Sequence, residues 1–410
     1  MGEIFVDIRQ SFELNFRVLA VFGIWPPDSI RDTWKVYIYY AYSFFAVNYF
    51  FIGYLLSEII DIIMVFGDIE KTVEASFLCI THLGQLPKVI SFIARNHRIK
   101  RIIDQLNDPI FNRGIPEHAP FLENSKRIVK RDTRIFLFLS SSTVMLWAVF
   151  PMLDKTISNW TLPLKAWYPF DAMKPVTFQL IYFYQISSVL VDALSNVSKD
   201  TVASGLMALT GGQLDILRYD LAKIWPRTQI ADKTSNPVTM KKISYNEIKT
   251  TEEDKQMTKD LIKCIEHHQA IISFIVEQEE VFSIGVTSQF VAGVVVICIT
   301  AFQLTLVPWS LYYFSMVLYQ TCMLVEIFLY CYHGNEIIVK SSMVLDAAYE
   351  TSWYERGTNF RQILDIFMTR CRIPLQVNAI KIFSLSLTAF VSILRSSYSY
   401  FAVLQHMHNK

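Results

Sequence analysis

The chain has 410 residues, 52% hydrophobic, 14% aromatic and only 18% charged, with a formal net charge of +1. Soluble domains carry about 25% charged residues, so this composition, with a mean hydropathy of +0.30, excludes an ordinary soluble globular protein. The near-neutral charge argues against a nucleic-acid partner.

The first 33 residues hold Glu3, Asp7, Glu13 and Asp28 and no clean apolar core, which predicts no cleavable signal peptide. Within them, FELNFRVLAVFGIWPPDS is amphipathic and stops at Pro26-Pro27, as expected of a helix lying along the inner membrane surface. Seven later stretches reach the roughly 20 apolar residues that a bilayer crossing needs: 34–57, 72–94, 133–153, 172–197, 280–304, 308–332 and 376–404. They are continuous runs rather than short alternating ones, so they read as helices and not barrel strands. The expected fold class is an all-α integral membrane protein with seven transmembrane helices.

Lys and Arg in the flanks orient the spans. The N-terminal arm has Arg9, Arg17 and Arg31, whereas the first loop has Lys71 against Glu58, Asp61, Asp68 and Glu70. The second loop is heavily basic, including Arg95, Arg98, Lys100, Arg101, Arg127, Lys130, Arg131 and Arg134. The third has Lys155, Lys165 and Lys174, the fourth is rich in both signs, and the sixth carries Lys340, Arg356, Arg361, Arg370 and Arg372. Basic residues alternate with loop parity, which predicts a cytoplasmic N-terminus and an extracellular C-terminus. A G-protein-coupled receptor has the opposite orientation and commonly an outer cysteine bridge. Here Cys79, Cys264, Cys298, Cys322, Cys331 and Cys371 all avoid the predicted outer loops and show no pairing or metal spacing. The sequon at Asn159 falls in the outer third loop, where both an occupied and an unused site are compatible with the sequence. That at Asn196 lies at an inner end and is expected to stay bare.

The expected organisation is a cytoplasmic arm (1–33), spans one to four (34–197), a cytoplasmic helical anchor with a linker (198–279), spans five and six (280–332), an anchor helix (333–375), and span seven with a short outer tail (376–410). The linker is the polar, proline-containing PRTQIADKTSNPVTMKK. In NFRQILDIFMTRCRIP, Phe360, Ile363, Leu364, Phe367 and Cys371 form one apolar face closed by Pro374. Such a face needs cover, either from a neighbouring subunit or from its own chain. Cys264, Glu266, His267 and His268 resemble a metal cluster in composition, but adjacent histidines point to different helix faces and no second cluster exists, so no metal is expected. No HExxH, GxSxG or phosphate-loop pattern points to an enzyme or a cofactor.

The last segment is apolar yet hydroxyl-rich. On a helix over 376–407, Ser384, Thr388, Ser392, Ser396 and Ser399 fall on one stripe bordered by Arg395, with Phe383, Leu387, Phe390, Leu394, Tyr398 and Phe401 elsewhere. The stripe either packs against another helix or lines a wetted path. Arg395 favours the second, because a charge at mid-bilayer costs about 3 kcal/mol or more. Above it the stripe turns apolar at Val403 and Met407, the pattern of a dewetting gate. One helix makes no pore, so this reading requires an oligomer around a shared axis.

The run from Tyr349 to Leu404 resembles the C-terminal signature of insect odorant receptors. Its elements are Tyr349, Trp353, Arg370, Pro374, Lys381, Phe390, Ile393, Leu394, Ser397, Tyr398, Ser399, Phe401 and Leu404. FGIWPPD is similar to that family's opening motif. The resemblance implies an odorant-gated, non-selective cation channel in the plasma membrane of olfactory neuron dendrites. Tuning subunits there assemble with a shared co-receptor as a heterotetramer, the seventh helices around the pore. This chain is similar to a tuning subunit rather than the longer co-receptor. It implies pore and gate positions at Ser392, Ser396, Ser399, Val403, His406 and Met407; His406 departs from the family's glutamine. It departs also from the terminal motif of the related gustatory receptors. The implied ligand pocket lies in the outer halves of spans two, three, four and six: Val73, Ser76 and Phe77; Ser140, Thr143 and Trp147; Phe178 and Tyr182; Tyr313 and Met316. Such a lining suits small neutral volatile molecules, and the alternative for each residue is ordinary helix packing.

Overall fold

The computed structural model describes residues 5–153, 162–172, 174–224, 252–351, 353–380 and 383–408. Nearly all of them are helical. Helix α1 (Glu13–Val21) buries Asn15 and Leu19 and is followed by Gly23, whose φ is +78° and where an added Cβ would come within 2.9 Å of Ser43 Cα, leaving it no room. Asn15 ties this arm to the bundle, donating from Nδ2 to Ser198 O at 3.1 Å and to Thr201 Oγ1 at 2.6 Å. After the short α2 (Asp28–Arg31), α3 (Lys35–Ala46) and α4 (Gly53–Met64) form one rod joined by a π-helical segment, Val47–Ile52.

Helix α5 (Ile69–Ala94) is capped by Asp68, whose side chain accepts from the Lys71 N–H, and it runs into the amphipathic α6 (Asn96–Gln105) with Ile99, Ile102 and Ile103 buried. Helix α7 (Ala119–Leu153) is charged in its first half and apolar in its second. The next three are long: α8 (Pro175–Ile224), α9 (Glu252–Leu306) and α10 (Leu311–Tyr349), of 50, 55 and 39 residues. At about 1.5 Å per residue each greatly exceeds the roughly 30 Å of a hydrocarbon core, so all three continue well beyond a membrane. Helix α11 (Thr358–Cys371) buries Phe360, Leu364, Phe367 and Cys371, with Ile363 half-buried, against α9 and α10 of its own chain.

By length and composition six helical segments can cross a bilayer: Lys35–Met64, Lys71–Ala94, Pro175–Ile224, Asp254–Leu306, Leu311–Tyr349 and Leu387–Met407. The apolar half of α7 is the seventh. The core is built where α7 packs along α8, α8 along α10, and α5 along α9.

The segment after Pro374 corrects the expectation of a helix beginning at 376. Asn378–Ala379 and Phe383–Ser384 pair as a minimal antiparallel hairpin, and Ile380 takes a φ of +47°. Glu279 Oε1 accepts both Asn378 donors, the backbone N–H at 2.5 Å and Nδ2 at 3.0 Å, and the Leu385 N–H reaches Val377 O at 2.8 Å. Those bonds hold the backbone extended, so α12 begins only at Leu387 and runs to His408. Ser384 therefore lies in a strand, and the hydroxyl stripe starts at Thr388.

Candidate functional site

Four helices, α5, α7, α8 and α10, enclose a cavity of about 60 Å³. Three sequence-predicted residues, Ser140, Thr143 and Trp147, stand on its α7 wall because they are three and four residues apart. Phe77 of α5 closes the group, its ring 6.2 Å from Trp147 and 5.3 Å from Tyr319. Thr143 Oγ1 lies 3.4 Å from Cys322 Sγ. This end is apolar and aromatic.

The opposite end is polar. His82 bridges two carboxylates, with Nδ1 2.7 Å from Glu58 Oε2 and Nε2 3.0 Å from Asp192 Oδ2. Lys88 Nζ sits 2.9 Å from Asp200 Oδ1 and 2.9 Å from Glu326 Oε1. Tyr330 OH donates to Asp200 at 2.8 Å, and Asn196 Nδ2 to Glu326 at 3.1 Å. All of these side chains are buried. Nothing in the sequence pairs these residues, although each is a charged or polar residue standing alone in or beside an apolar run, which is the signal that demands a partner.

Several buried polar atoms remain without a partner among the described residues: Trp147 Nε1, Gln85 Oε1, Asp192 Oδ1 and Asn196 Oδ1. All four residues line the cavity. Unmet buried groups cost about 1–3 kcal/mol each. A guest with an apolar or ring body and one hydrogen-bonding group would answer both ends at once. A guest of that size needs more than 60 Å³, so flexible lining such as Met323 has to yield.

Phe77 meets this cavity only through its ring contacts with Trp147 and Tyr319, and the remaining predicted pocket residues do not line it either. Val73 O accepts from Gln303 Nε2 at 3.3 Å, and Ser76 donates to Thr72 O within its own helix. Phe178 pairs with Tyr182 at 5.9 Å, and Tyr182 OH donates to Ala148 O at 2.6 Å, tying α8 to α7. Tyr313 stacks on Trp309 at 4.9 Å, and Met316 is fully buried one turn from Tyr319. Tyr319 itself, Thr81 and the polar end were not singled out in the sequence. Asn159 lies outside the described residues.

Helix α12 is a second candidate site. Thr388, Ser392, Arg395, Ser396, Ser399, Val403, His406 and Met407 are all exposed on one stripe. Ser397, off the stripe, is buried and donates to Val294 O at 3.1 Å. Only 6% of the helix's apolar window is covered by the chain.

Away from these helices, His267 Nε2 lies 3.0 Å from Gln213 Oε1, while His268 meets the Phe367 ring edge-on at 5.4 Å. The pair thus serves two different packing faces. No cluster of metal-ligating side chains exists among the described residues.

Solved and curated proteins are similar to this chain. The olfactory receptor OR5 of Machilis hrabei, in complex with eugenol, superposes with a TM-score of 0.81 over 98% of each chain at 18% identity, which shows the same seven-helix membrane fold. Odorant receptor Or1 of Anopheles gambiae is 27% identical over 98% of this chain and 97% of its own. Odorant receptor 46a, isoform A, of Drosophila melanogaster is 25% identical over 99% of both. An odorant receptor coreceptor of Ooceraea biroi matches at 22% over 95% of this chain and 96% of its own. The 7tm odorant receptor family matches residues 68–398, well over half the chain, and the chain belongs to that family of multi-pass insect membrane receptors.

Proposed function

We propose that this chain is the odorant-binding, tuning subunit of a ligand-gated, non-selective cation channel, assembled with a co-receptor as a heterotetramer. The observation that carries the reading is α12. A membrane helix left almost uncovered by its own chain, with hydroxyls and Arg395 on the open face, needs water or other subunits beside it. A shared axis supplies both, and places Ser392, Ser396 and Ser399 along a wetted path below Val403, His406 and Met407.

The ligand is a small neutral volatile molecule, held by burial against Phe77, Ser140, Thr143 and Trp147 and oriented by the polar end of the cavity. Val73, Ser76, Phe178, Tyr182, Tyr313 and Met316 form the neighbouring tier that shapes the route in. Binding favours the state in which the outer ends of the seventh helices separate and the Val403 level wets. The N-terminus and the polar ends of α8 to α11 face the cytoplasm, as the basic loops indicate; the plasma membrane of an olfactory neuron dendrite is the setting. Asn159 then lies outside, open to glycosylation.

The test is whole-cell recording from cells expressing this chain with a co-receptor. Odorant-evoked, poorly selective cation current is expected. Silence across a broad volatile panel, despite surface expression, overturns the reading. A tag on Met1 that antibody reaches in intact cells would favour a G-protein-coupled orientation instead.

A further inference from the structure

The outward face of α7 carries charge that neither the cavity nor α12 uses. Arg127, Lys130, Arg131 and Arg134 recur at spacings of three, one and three on the stretch before the apolar half of the helix. At about 100° per residue, the same face continues through Phe138 and Met145, which are 75% and 59% exposed, with Ile135 on its flank. One uncovered stripe of one helix is thus basic at one end and apolar at the other. Arg134 stands a single turn, about 5.4 Å of rise, from Phe138. If Phe138 faces hydrocarbon, Arg134 sits at the depth of the headgroups.

Of the four cations on this face, only Arg131 is spent on a carboxylate among the described residues. Lys126 pairs with Glu123 at 3.6 Å and Arg131 with Asp132 at 2.9 Å, while Arg17 of α1 pairs with Glu13. Asp132 is also engaged by His333 at 3.0 Å. Among the described residues, Arg127, Lys130 and Arg134 face no carboxylate at ion-pair distance. They border two open depressions, one of about 420 Å³ along α7 and one of about 270 Å³ between Lys130, Arg134 and Arg17.

We propose that this stripe binds the phosphorylated headgroup of an anionic phospholipid, whose acyl chains lie along Ile135 and Phe138. Guanidinium groups bind phosphate oxygens in pairs, and a lysine adds a point charge between them. The apolar continuation of the same face distinguishes a lipid from a soluble phosphate. A second copy of the chain presenting this face would set cation against cation. Ser140, Thr143 and Trp147 stand on the opposite side of α7, so the lipid would brace the back of the cavity wall. The leaflet follows from the proposed orientation, but the binding does not depend on it or on channel activity.

The test uses full-length protein in an uncharged detergent, equilibrated with phosphatidylcholine or with phosphatidylinositol 4-phosphate, and counts bound lipid by native mass spectrometry. The variant Arg127→Gln/Lys130→Gln/Arg134→Gln is expected to bind the phosphoinositide about tenfold more weakly or worse, with phosphatidylcholine unchanged. A control that removes three exposed lysines elsewhere, Lys223→Gln/Lys259→Gln/Lys263→Gln, is expected to bind as the wild type does. Equal retention by both variants overturns the proposal. Displacement by free inositol 1,4-bisphosphate at the concentration of the lipid itself overturns the lipid assignment in favour of a soluble anion. Should the triple variant not fold, the wild type alone decides: phosphoinositide binding that is indifferent to added salt overturns the site.

Discussion

The indole of Trp147 and the phenol ring of Tyr319 lie 5.4 Å apart, centroid to centroid, bringing α7 and α10 together at the aromatic end of the cavity. Their polar ends are treated differently. Tyr319 OH is 2.5 Å from Thr81 Oγ1, whereas Trp147 Nε1 is buried without a partner among the described residues. Tyr319 is therefore held in place, and Trp147 is free to address a guest. Trp147→Ala removes a large apolar surface and one donor, about 3–5 kcal/mol of packing, and is expected to raise the half-maximal odorant concentration at least about tenfold. Tyr319→Phe keeps every ring contact and loses one hydrogen bond of about 1 kcal/mol, so its shift is expected to stay within about fivefold. Dose-response curves at matched surface expression decide; the reverse order would mean that the guest does not sit against α7.

Lys88 Nζ lies between Asp200 and Glu326, at 2.9 Å from each. Removing one partner from a buried ion pair leaves an uncompensated charge and costs about 3–5 kcal/mol. Lys88→Met is accordingly expected to abolish a monodisperse peak in fluorescence-detected size exclusion. Adding Asp200→Asn and Glu326→Gln removes the stranded charges and is expected to restore much of it. If Lys88→Met alone behaves as the wild type does, the triad carries no structural weight.

The members of this network are far apart in the chain, beyond what apolar patterning can pair. The spans are legible because bilayer crossing demands long apolar runs, whereas Ser140, Thr143 and Trp147 are named only through the family resemblance, and the structure places all three on one cavity wall. Lys88 was visible as a charge within an apolar run, but its partners lie 112 and 238 residues away in sequence, set by how α5, α8 and α10 pack. The start of α12 failed for a related reason. Residues 376–386 are apolar enough to continue a helix, and contacts distant in sequence, above all the Glu279 carboxylate that accepts both donors of Asn378, hold them extended together with the local strand pairing.

The histidines of α9 give a pH dependence whose sign follows from burial. Desolvation, with Arg113 near His267 and Arg370 near His268, lowers their pKa values from 6.5 to about 3 and about 4. Unfolded chains take up protons near 6.5, and the folded protein only at much lower pH. Stability from these groups is complete above 6.5 and is lost as pH falls, by up to about 1.4 kcal/mol per pH unit for each histidine. The melting temperature in detergent is expected to drop between about pH 7.5 and about pH 5. His267→Gln retains a donor for Gln213 and cannot charge, so it is expected to flatten that slope. An unchanged slope in the variant would place the acid sensitivity elsewhere.

The exposed face of α12 is tested by cysteine accessibility, because the native background is quiet: Cys79, Cys264, Cys298, Cys322, Cys331 and Cys371 are all buried. Ser392, Ser396 and Ser399 lie on the open stripe, while Ser397 is turned inward to Val294 O. If the stripe borders an aqueous path, a charged methanethiosulfonate reagent added outside during odorant application modifies Ser396→Cys and Ser399→Cys and changes the current. Ser397→Cys, one residue away but buried against α9, is expected to remain unmodified. If lipid covers the stripe instead, charged reagents fail at all of these positions while a membrane-permeant maleimide still reacts. That pattern would remove α12 from the conduction path although its exposure in the single chain is unchanged, because a hydroxyl face is equally accessible to a neighbouring helix and to water until the assembly decides between them.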